Sequence, residues 1–171
     1  MNRKIALITG VTRLKGIGFA ICKKLAAQEM DIFFTYYRPY DKQMPWNVEE
    51  SEPDQIQQTI QALGVRCEKV ELDLSAPDAV FKLFEKATSI LGMPSVVVNN
   101  ATYSTETTIE NLTTEELDKH YQVNLRATTL ITTEFAKRFD LGSGGRVINL
   151  TSGQWLGKMH NEIACHHQGG H

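Results

Sequence analysis

The glycines near the N-terminus are the residues best placed for chemistry, because they separate a strand-like run from a helix-like run. Residues 9–18 have the sequence TGVTRLKGIG, between IALI at 5–8 and FAICKKLAAQ. Backbone N–H groups at a helix start attract phosphate, and Gly10, Gly16 and Gly18 would let a ligand and the helix approach closely. The stretch predicts a nucleotide-binding turn, while a glycine-rich turn without a ligand fits the spacing equally well.

Polar residues later in the chain are further candidates for a site. Asp73, Asn100 and Ser152 each lie at the end of a strand-like run, and Asn124 lies within a long helical pattern. Each also has a structural explanation, because Asp, Asn and Ser side chains often hydrogen-bond to nearby backbone groups. The residue types alone leave both explanations open.

Strand and helix patterns alternate along most of the chain. Apolar and β-branched runs predict strands at 5–8, 31–37, 65–75, 94–101 and 146–152. Apolar residues at helical spacing predict helices at 17–29, 53–64, 76–92 and 113–139. This alternation is typical of βαβ units and predicts a doubly wound, Rossmann-like parallel sheet of five strands.

Local patterns add detail to these elements. The first helix is expected to bury one stripe, formed by Ile17, Ala20, Ile21, Leu25 and, at its margin, Ala26. The long helix is expected to begin with a capping box between Thr113 and Glu116. Residues 38–53 have three prolines, many charges and no period, which predicts a long surface loop. The last strand has the apolar character of a buried one.

The order of the motifs resembles that of the short-chain dehydrogenases/reductases, in particular bacterial 3-oxoacyl-acyl-carrier-protein reductase-like oxidoreductases. The motifs are Thr9-Gly10, Gly16-Ile17-Gly18, Asn99-Asn100-Ala101, Asn124 and Ser152. The resemblance covers residues 1–164 and implies a dinucleotide-binding domain truncated after the fifth strand. Five residues separate the first two glycines, where the family has three, and Thr102 stands where the family usually has glycine.

The resemblance implies a nicotinamide dinucleotide site at these motifs. The backbone from Thr12 to Ile17 would hold the pyrophosphate, Asp73 and Leu74 would bracket the adenine, and Asn100 and Ala101 would line a ribose. The cofactor-binding residues expected on this basis are Gly10, Thr12, Arg13, Lys15, Gly16, Ile17, Gly18, Asp73, Leu74, Asn100 and Ala101.

The residues after the second strand favour NADP over NAD, which stays the alternative. A carboxylate there would bind the 2′-hydroxyl of NAD, but Thr35 to Arg38 include no acid. Arg13, Lys15 and Arg38 supply cations that suit the extra phosphate of NADP. Against this stands the ordinary interpretation of all three as solvated surface charges.

The catalytic residues that the resemblance implies are incomplete. Ser152 would polarise the carbonyl of a small-molecule substrate, and Asn124 would maintain a water-linked proton path during carbonyl–alcohol interconversion. The family then has a tyrosine and, four residues later, a lysine, but Cys165 and Gly169 occupy these positions. The sequence therefore predicts an oxidoreductase that is inactive or nearly so. The alternative is a catalytically silent nucleotide-binding or interaction fragment.

The last residues, 165–171, form an aberrant tail. Its cysteine and histidines match no structural zinc pattern, so no metal site is predicted. One permitted coding of residues 164–171, read in a neighbouring frame, gives Ala-Thr-Thr-Lys-Gly-Ala, close to the family's Tyr-Ala-x-x-Lys-Gly-Ala. Restoring two bases would place tyrosine at position 165 and lysine at position 169. The hypothesis is an out-of-frame segment ended by a stop codon.

Composition limits the classes of function. A chain of 171 residues with a formal net charge of −2 is the size of one domain and has no basic excess, which argues against nucleic acid and membrane partners. No secretion signal is apparent, which predicts a cytoplasmic protein. Cys22, Cys67 and Cys165 form no disulfide framework. In the family the helix at 113–139 would lie at a dimer interface, so a homo-oligomer is expected.

Overall fold

Five parallel strands form one sheet in the computed structural model, which describes residues 3–46, 49–140, 142 and 144–152. The strands are β1 (Ile5–Ile8), β2 (Asp31–Tyr36), β3 (Cys67–Glu71), β4 (Val96–Asn99) and β5 (Arg146–Asn149). Their order across the sheet is β3-β2-β1-β4-β5. The predicted five-stranded parallel sheet is thus confirmed.

Helices cover both faces of this sheet. They are α1 (Ile17–Ala26), a short α2 (Arg38–Asp41), α3 (Glu52–Gln61), α4 (Ala79–Ile90), α5 (Thr114–His120) and α6 (Thr128–Arg138). Side chains alternate between the faces of a strand, so Ala6 and Ile8 of β1 enter one core cluster, whereas Ile5 and Leu7 enter the other. Two buried faces explain why the central strands are continuous apolar runs. The doubly wound architecture is confirmed.

The sheet has a switch point between β1 and β4. The chain moves outward from β1 through β2 to β3, then crosses back and adds β4 and β5 on the other side. The carboxyl ends of β1 and β4 are joined by a hydrogen bond from Thr9 N to the Val98 carbonyl oxygen, 3.1 Å long. In open α/β sheets, the crevice at such a point is where ligands bind.

Helix α1 buries only part of the predicted stripe: Ala26 is buried, and Ile21 and Leu25 are half-buried against a core cluster. Ile17 is 69% exposed, and Ala20 is exposed as well. The buried residues of the helix are Gly18, Phe19, Cys22 and Ala26. Gly18 faces the sheet, where the backbone of the helix packs closely. A Cβ at this position would lie only 3.0 Å from a Val11 methyl group.

The predicted surface loop after β2 is partly wrong, because it begins with the helical turn α2. Arg38 and Asp41 of this turn are buried. The Arg38 N–H donates to a Glu71 carboxylate oxygen at 3.1 Å, and the Tyr40 hydroxyl donates to the Ser104 carbonyl oxygen at 3.0 Å. These bonds hold the turn against β3 and against the segment that follows β4.

The long helix is interrupted by a π-helical segment, Tyr121–Ala127, between α5 and α6. Only half of the predicted capping box forms: the Thr113 hydroxyl accepts from the Glu116 N–H at 3.2 Å. The Glu116 carboxylate instead accepts from the Tyr103 hydroxyl at 3.2 Å. Burial, reinforced by this carboxylate, raises the pKa of Tyr103 to about 12.

The outer strand β5 is exposed, contrary to the buried strand that its sequence predicts. Ile148 is 45% exposed, and Leu150 just beyond the strand is exposed too. Leu117, Tyr121 and Leu125 form a second exposed apolar row along the long helix.

The described cysteines belong to the core. Cys22 and Cys67 are buried free thiols, and burial raises the pKa of Cys67 to about 12. Cys165, the tail histidines and the boundary at 164/165 lie outside the described residues. Within the described ranges, no cluster of three or more potential metal ligands occurs, and no helix is long and apolar enough to cross a membrane.

Candidate cofactor site at the switch point

Gly10 brings the carboxyl ends of β1 and β4 into contact. Its φ is +72°, and a Cβ at this position would lie 2.6 Å from the Ala101 Cα. Only glycine adopts this conformation at low cost and leaves room for the neighbouring backbone. Gly10 therefore starts the glycine loop, residues 10–18, from a fixed point beside β4.

Thr9 organises this junction, although the sequence interpretation treated it only as part of a motif. Its buried hydroxyl accepts from the N–H groups of Asn100 and Ala101 at 3.1 and 3.0 Å. The Asn100 side-chain amide in turn donates to the carbonyl oxygens of Thr9 and Gly10 at 2.8 and 2.9 Å. Two predicted site residues, Asn100 and Ala101, thereby lie directly against the glycine loop.

Gly18 allows helix α1 to start close to this junction. A Cβ on Gly18 would lie 2.8 Å from the Asn100 amide nitrogen and 3.1 Å from the Gly10 carbonyl oxygen. Gly16 caps the helix without a side-chain hydrogen bond, and the first turn contains no acidic residue. The start of the helix thus suits an anion electrostatically, and Ile17, its first residue, is exposed.

The middle of the glycine loop contacts residues of the 38–52 segment, which runs from α2 to the first residue of α3. The Arg13 guanidinium lies 4.1 Å from the centre of the Trp46 ring. The Leu14 N–H donates to a Glu52 carboxylate oxygen at 3.0 Å. Lys15 is exposed. Sequence reasoning missed Trp46 and Glu52, because no local pattern links them to a loop more than thirty residues away.

Arg38 is only 4% exposed, so its interpretation as a solvated surface charge is wrong. Its Nη2 donates to the Glu49 carbonyl oxygen, and its Nε lies 3.7 Å from a Glu50 carboxylate oxygen. Among the described residues, Nε and Nη1 have no hydrogen-bond partner. Buried, unsatisfied guanidinium N–H groups are costly, so this arrangement fits an additional anionic ligand.

Asp73 and Leu74 have structural contacts at the end of β3. One Asp73 carboxylate oxygen accepts from the Ser75 N–H at 2.8 Å and from its hydroxyl at 2.6 Å. Burial, followed by the effect of this carboxylate, raises the pKa of Tyr37. The Leu74 side chain is buried in the core. The predicted backbone-bonding alternative for Asp73 is therefore present, and the adenine contact remains a prediction.

Asn124 attaches the segment after β4 to the π-helical segment. Its Oδ1 accepts from the Tyr103 N–H, and its Nδ2 donates to the Tyr103 carbonyl oxygen, both at 2.8 Å. The Thr102 hydroxyl also donates to Oδ1, and the ring of His120 lies 3.4 Å from Nδ2. The amide thus makes the loop contacts of the structural alternative, and its catalytic role remains a prediction.

Ser152 lies three residues beyond β5 and is exposed. Before it, the Asn99 side-chain amide donates to the Asn149 side-chain oxygen at 2.8 Å and joins the ends of β4 and β5. The positions of Cys165 and Gly169 lie outside the described residues. The described residues therefore form a candidate cofactor crevice at the switch point.

The family model for short chain dehydrogenases matches residues 4–165 of the chain. With a doubly wound sheet and a glycine loop at its switch point, the chain belongs to the short-chain dehydrogenase family. The uncharacterized oxidoreductase YjdA of Bacillus subtilis is 44% identical over 165 residues, which are 95% of this chain and 62% of that protein.

Further relatives give the same family and similar coverage. A short-chain type dehydrogenase/reductase of Picea abies is 31% identical over 156 residues, 89% of this chain and 55% of that protein. A short chain dehydrogenase from Burkholderia cenocepacia, solved in complex with NADP, is 28% identical and has a TM-score of 0.79. The match covers 95% of this chain and 60% of that protein. The chain thus spans less than two thirds of these proteins.

Proposed function

We propose that this chain binds NADP(H) at the switch point as a member of an oxidoreductase lineage. Arg38 is the observation that carries the proposal, because Nε and Nη1 of its buried guanidinium have no hydrogen-bond partner among the described residues, and Nε faces a Glu50 carboxylate oxygen only at 3.7 Å. A phosphate monoester such as the 2′-phosphate of NADP is the kind of ligand that satisfies such groups. The similar dehydrogenase from Burkholderia cenocepacia, whose structure contains NADP, supports this choice of cofactor.

Each part of the cofactor has a matching group in the described structure. The glycine loop and the start of α1 would hold the pyrophosphate through backbone N–H groups. Asn100 and Ala101 would line a ribose, and Asp73 would accept from the adenine amino group. When bound, NADP(H) would supply the hydride acceptor or donor for interconversion of a small-molecule carbonyl and an alcohol.

We further propose that this chain turns over little or no substrate. Ser152 and Asn124 would keep their family roles of polarising a carbonyl and maintaining a proton path. The residues at the positions of the family's proton donor and its lysine are Cys165 and Gly169. Cysteine is too short to place a proton where a phenol would, and glycine supplies no charge to lower a neighbour's pKa.

Fluorescence titration with NADPH and NADH tests the cofactor proposal. We expect saturable NADPH binding that is weakened roughly 10- to 100-fold by Arg38→Met, because charge-assisted hydrogen bonds to the phosphate are lost. NADH binding should change far less. Lys42→Met removes an exposed cation of the same segment and serves as the control.

Absence of saturable NADPH binding would contradict the proposal, as would equal losses with both variants. A carbonyl-reduction assay then separates an enzyme from a binder. We expect bound NADPH to remain unconsumed with a panel of small ketones and aldehydes. Turnover comparable to that of ordinary family members would overturn the claim of impaired catalysis.

A further inference from the structure

Three successive residues of the glycine loop face side chains of the 38–52 segment. The Thr12 side chain faces the buried Asp41 carboxyl, and the Arg13 guanidinium stacks on Trp46 at 4.1 Å. The Leu14 N–H donates to the Glu52 carboxylate at 3.0 Å. A hydroxyl, a guanidinium and a backbone N–H, which are all groups that bind phosphate, therefore contact other residues of the protein.

The contact at Leu14 has the chemistry of a bound phosphate. A carboxylate oxygen and a phosphate oxygen are both anionic acceptors, and each forms a short charge-assisted bond with a backbone N–H. The loop from Thr12 to Ile17 is the segment assigned to the cofactor pyrophosphate. The Glu52 carboxylate thus occupies the Leu14 N–H, a donor that the proposed function assigns to the pyrophosphate of the cofactor.

We propose that Glu52 is an internal competitor that occupies the Leu14 N–H and must leave it when the pyrophosphate of a dinucleotide binds. The proposal rests on the proposed function, because the competitor regulates that same site. Displacement of the carboxylate opposes binding, so the chain holds its cofactor less tightly than the glycine loop alone would allow.

The surroundings of Glu52 keep it in place. Glu52 is half-buried at the first position of α3, where its N–H donates to the Glu49 carbonyl oxygen at 3.1 Å and Pro53 follows. Arg13 and Trp46 hold the adjoining part of the loop against the same segment. The carboxylate therefore returns to the Leu14 N–H whenever no ligand competes for it.

Removal of the carboxylate tests the competition, and Asp54 provides the matched control. Both acids lie in the first turn of α3, but Asp54 points to Lys69 at 2.8 Å and is exposed. We expect Glu52→Ala to tighten NADPH and NADH alike by about tenfold, or about 1.4 kcal/mol, which is the scale of one charge-assisted hydrogen bond. Asp54→Ala should leave both affinities nearly unchanged.

The outcomes separate this inference from the proposed function. Measurable binding by the unaltered chain that tightens in Glu52→Ala, but not in Asp54→Ala, supports both. Binding by the unaltered chain with no gain, or a loss, in Glu52→Ala overturns the competition and leaves the proposed function standing. If no variant binds either dinucleotide, the proposed function fails, and the competition fails with it.

Hydrogen exchange provides a second measurement that needs no ligand. The contact predicts that the Leu14 amide is protected in the unaltered chain and exchanges at least several-fold faster in Glu52→Ala, while amides within β1 keep their protection. Glu52→Gln keeps an acceptor without the charge and should fall between the two. Equal exchange at Leu14 in all three proteins would also overturn the inference.

Discussion

Substitution of Gly10 by alanine tests the close approach of β1 and β4 that creates the crevice. Gly10 has a φ of +72°, and an added Cβ would lie 2.6 Å from the Ala101 Cα and 2.9 Å from its nitrogen. Both atoms belong to backbone held by Thr9, so the clash cannot be relieved by turning a side chain. A shift of the β4 end or of the glycine loop is required.

Gly64 provides the matched comparison, since it has a φ of +85° with nothing within 4 Å of an added Cβ. A left-handed backbone costs a residue with a Cβ about 1–2 kcal/mol, and Gly64→Ala should lose no more than that. Overpacking in a tight site adds about 1–3 kcal/mol, so Gly10→Ala should lose about 2–5 kcal/mol. That is a large part of a typical domain stability of about 5–15 kcal/mol.

Urea denaturation of the two variants and the unaltered chain measures the difference. We expect an unchanged slope with denaturant, and a free energy of unfolding at least about 1 kcal/mol lower for Gly10→Ala than for Gly64→Ala. Equal losses would refute the reasoning, because they would mean that only backbone strain matters at residue 10 and that β4 does not crowd it.

Two further variants probe the same region. Thr9→Val removes the acceptor of the Asn100 and Ala101 N–H groups. In chemical denaturation, we expect its free energy of unfolding to fall about 2 kcal/mol below that of Thr9→Ser. Equal free energies would contradict the role of the Thr9 hydroxyl in joining β1 and β4. Burial raises the pKa of the Asp41 carboxyl, so the unfolded state ionises first as pH rises, and this group lowers stability above its ordinary pKa. The stability of Asp41→Asn relative to the unaltered chain should therefore grow as the pH rises above the ordinary pKa of an aspartate, about 4. A difference independent of pH would show that burial does not act on this group.

The sheet was predictable from sequence because each of its central strands is buried on both faces. IALI and VVVN are continuous apolar runs, and helical patterns of ordinary length separate them. The motif order also assigned Gly10 and Asn100 to one cofactor site, and the Asn100 side-chain amide donates to the Gly10 carbonyl oxygen. Local sequence determines these features, because turn glycines and strand ends have strong residue preferences.

Other features depend on tertiary contacts that no local pattern encodes. Helical spacing proposed Ile17 as a buried residue, but close packing at Gly18 turned the helix and left Ile17 exposed. The alternative interpretation of Arg38 as a surface charge is wrong because Arg38 is buried in the helical turn α2, and no local pattern predicts this burial. The contact between Leu14 and Glu52 joins residues 38 positions apart and is absent from any motif.

The location of cofactor binding is the central claim, and amide NMR of the ¹⁵N-labelled chain titrated with NADPH tests it most directly. We expect progressive, saturable shifts of the amides of the glycine loop and of Asn100 and Ala101, with much smaller shifts in β3 and α4. No shifts at saturating NADPH, or shifts confined to residues far from the switch point, would contradict the account.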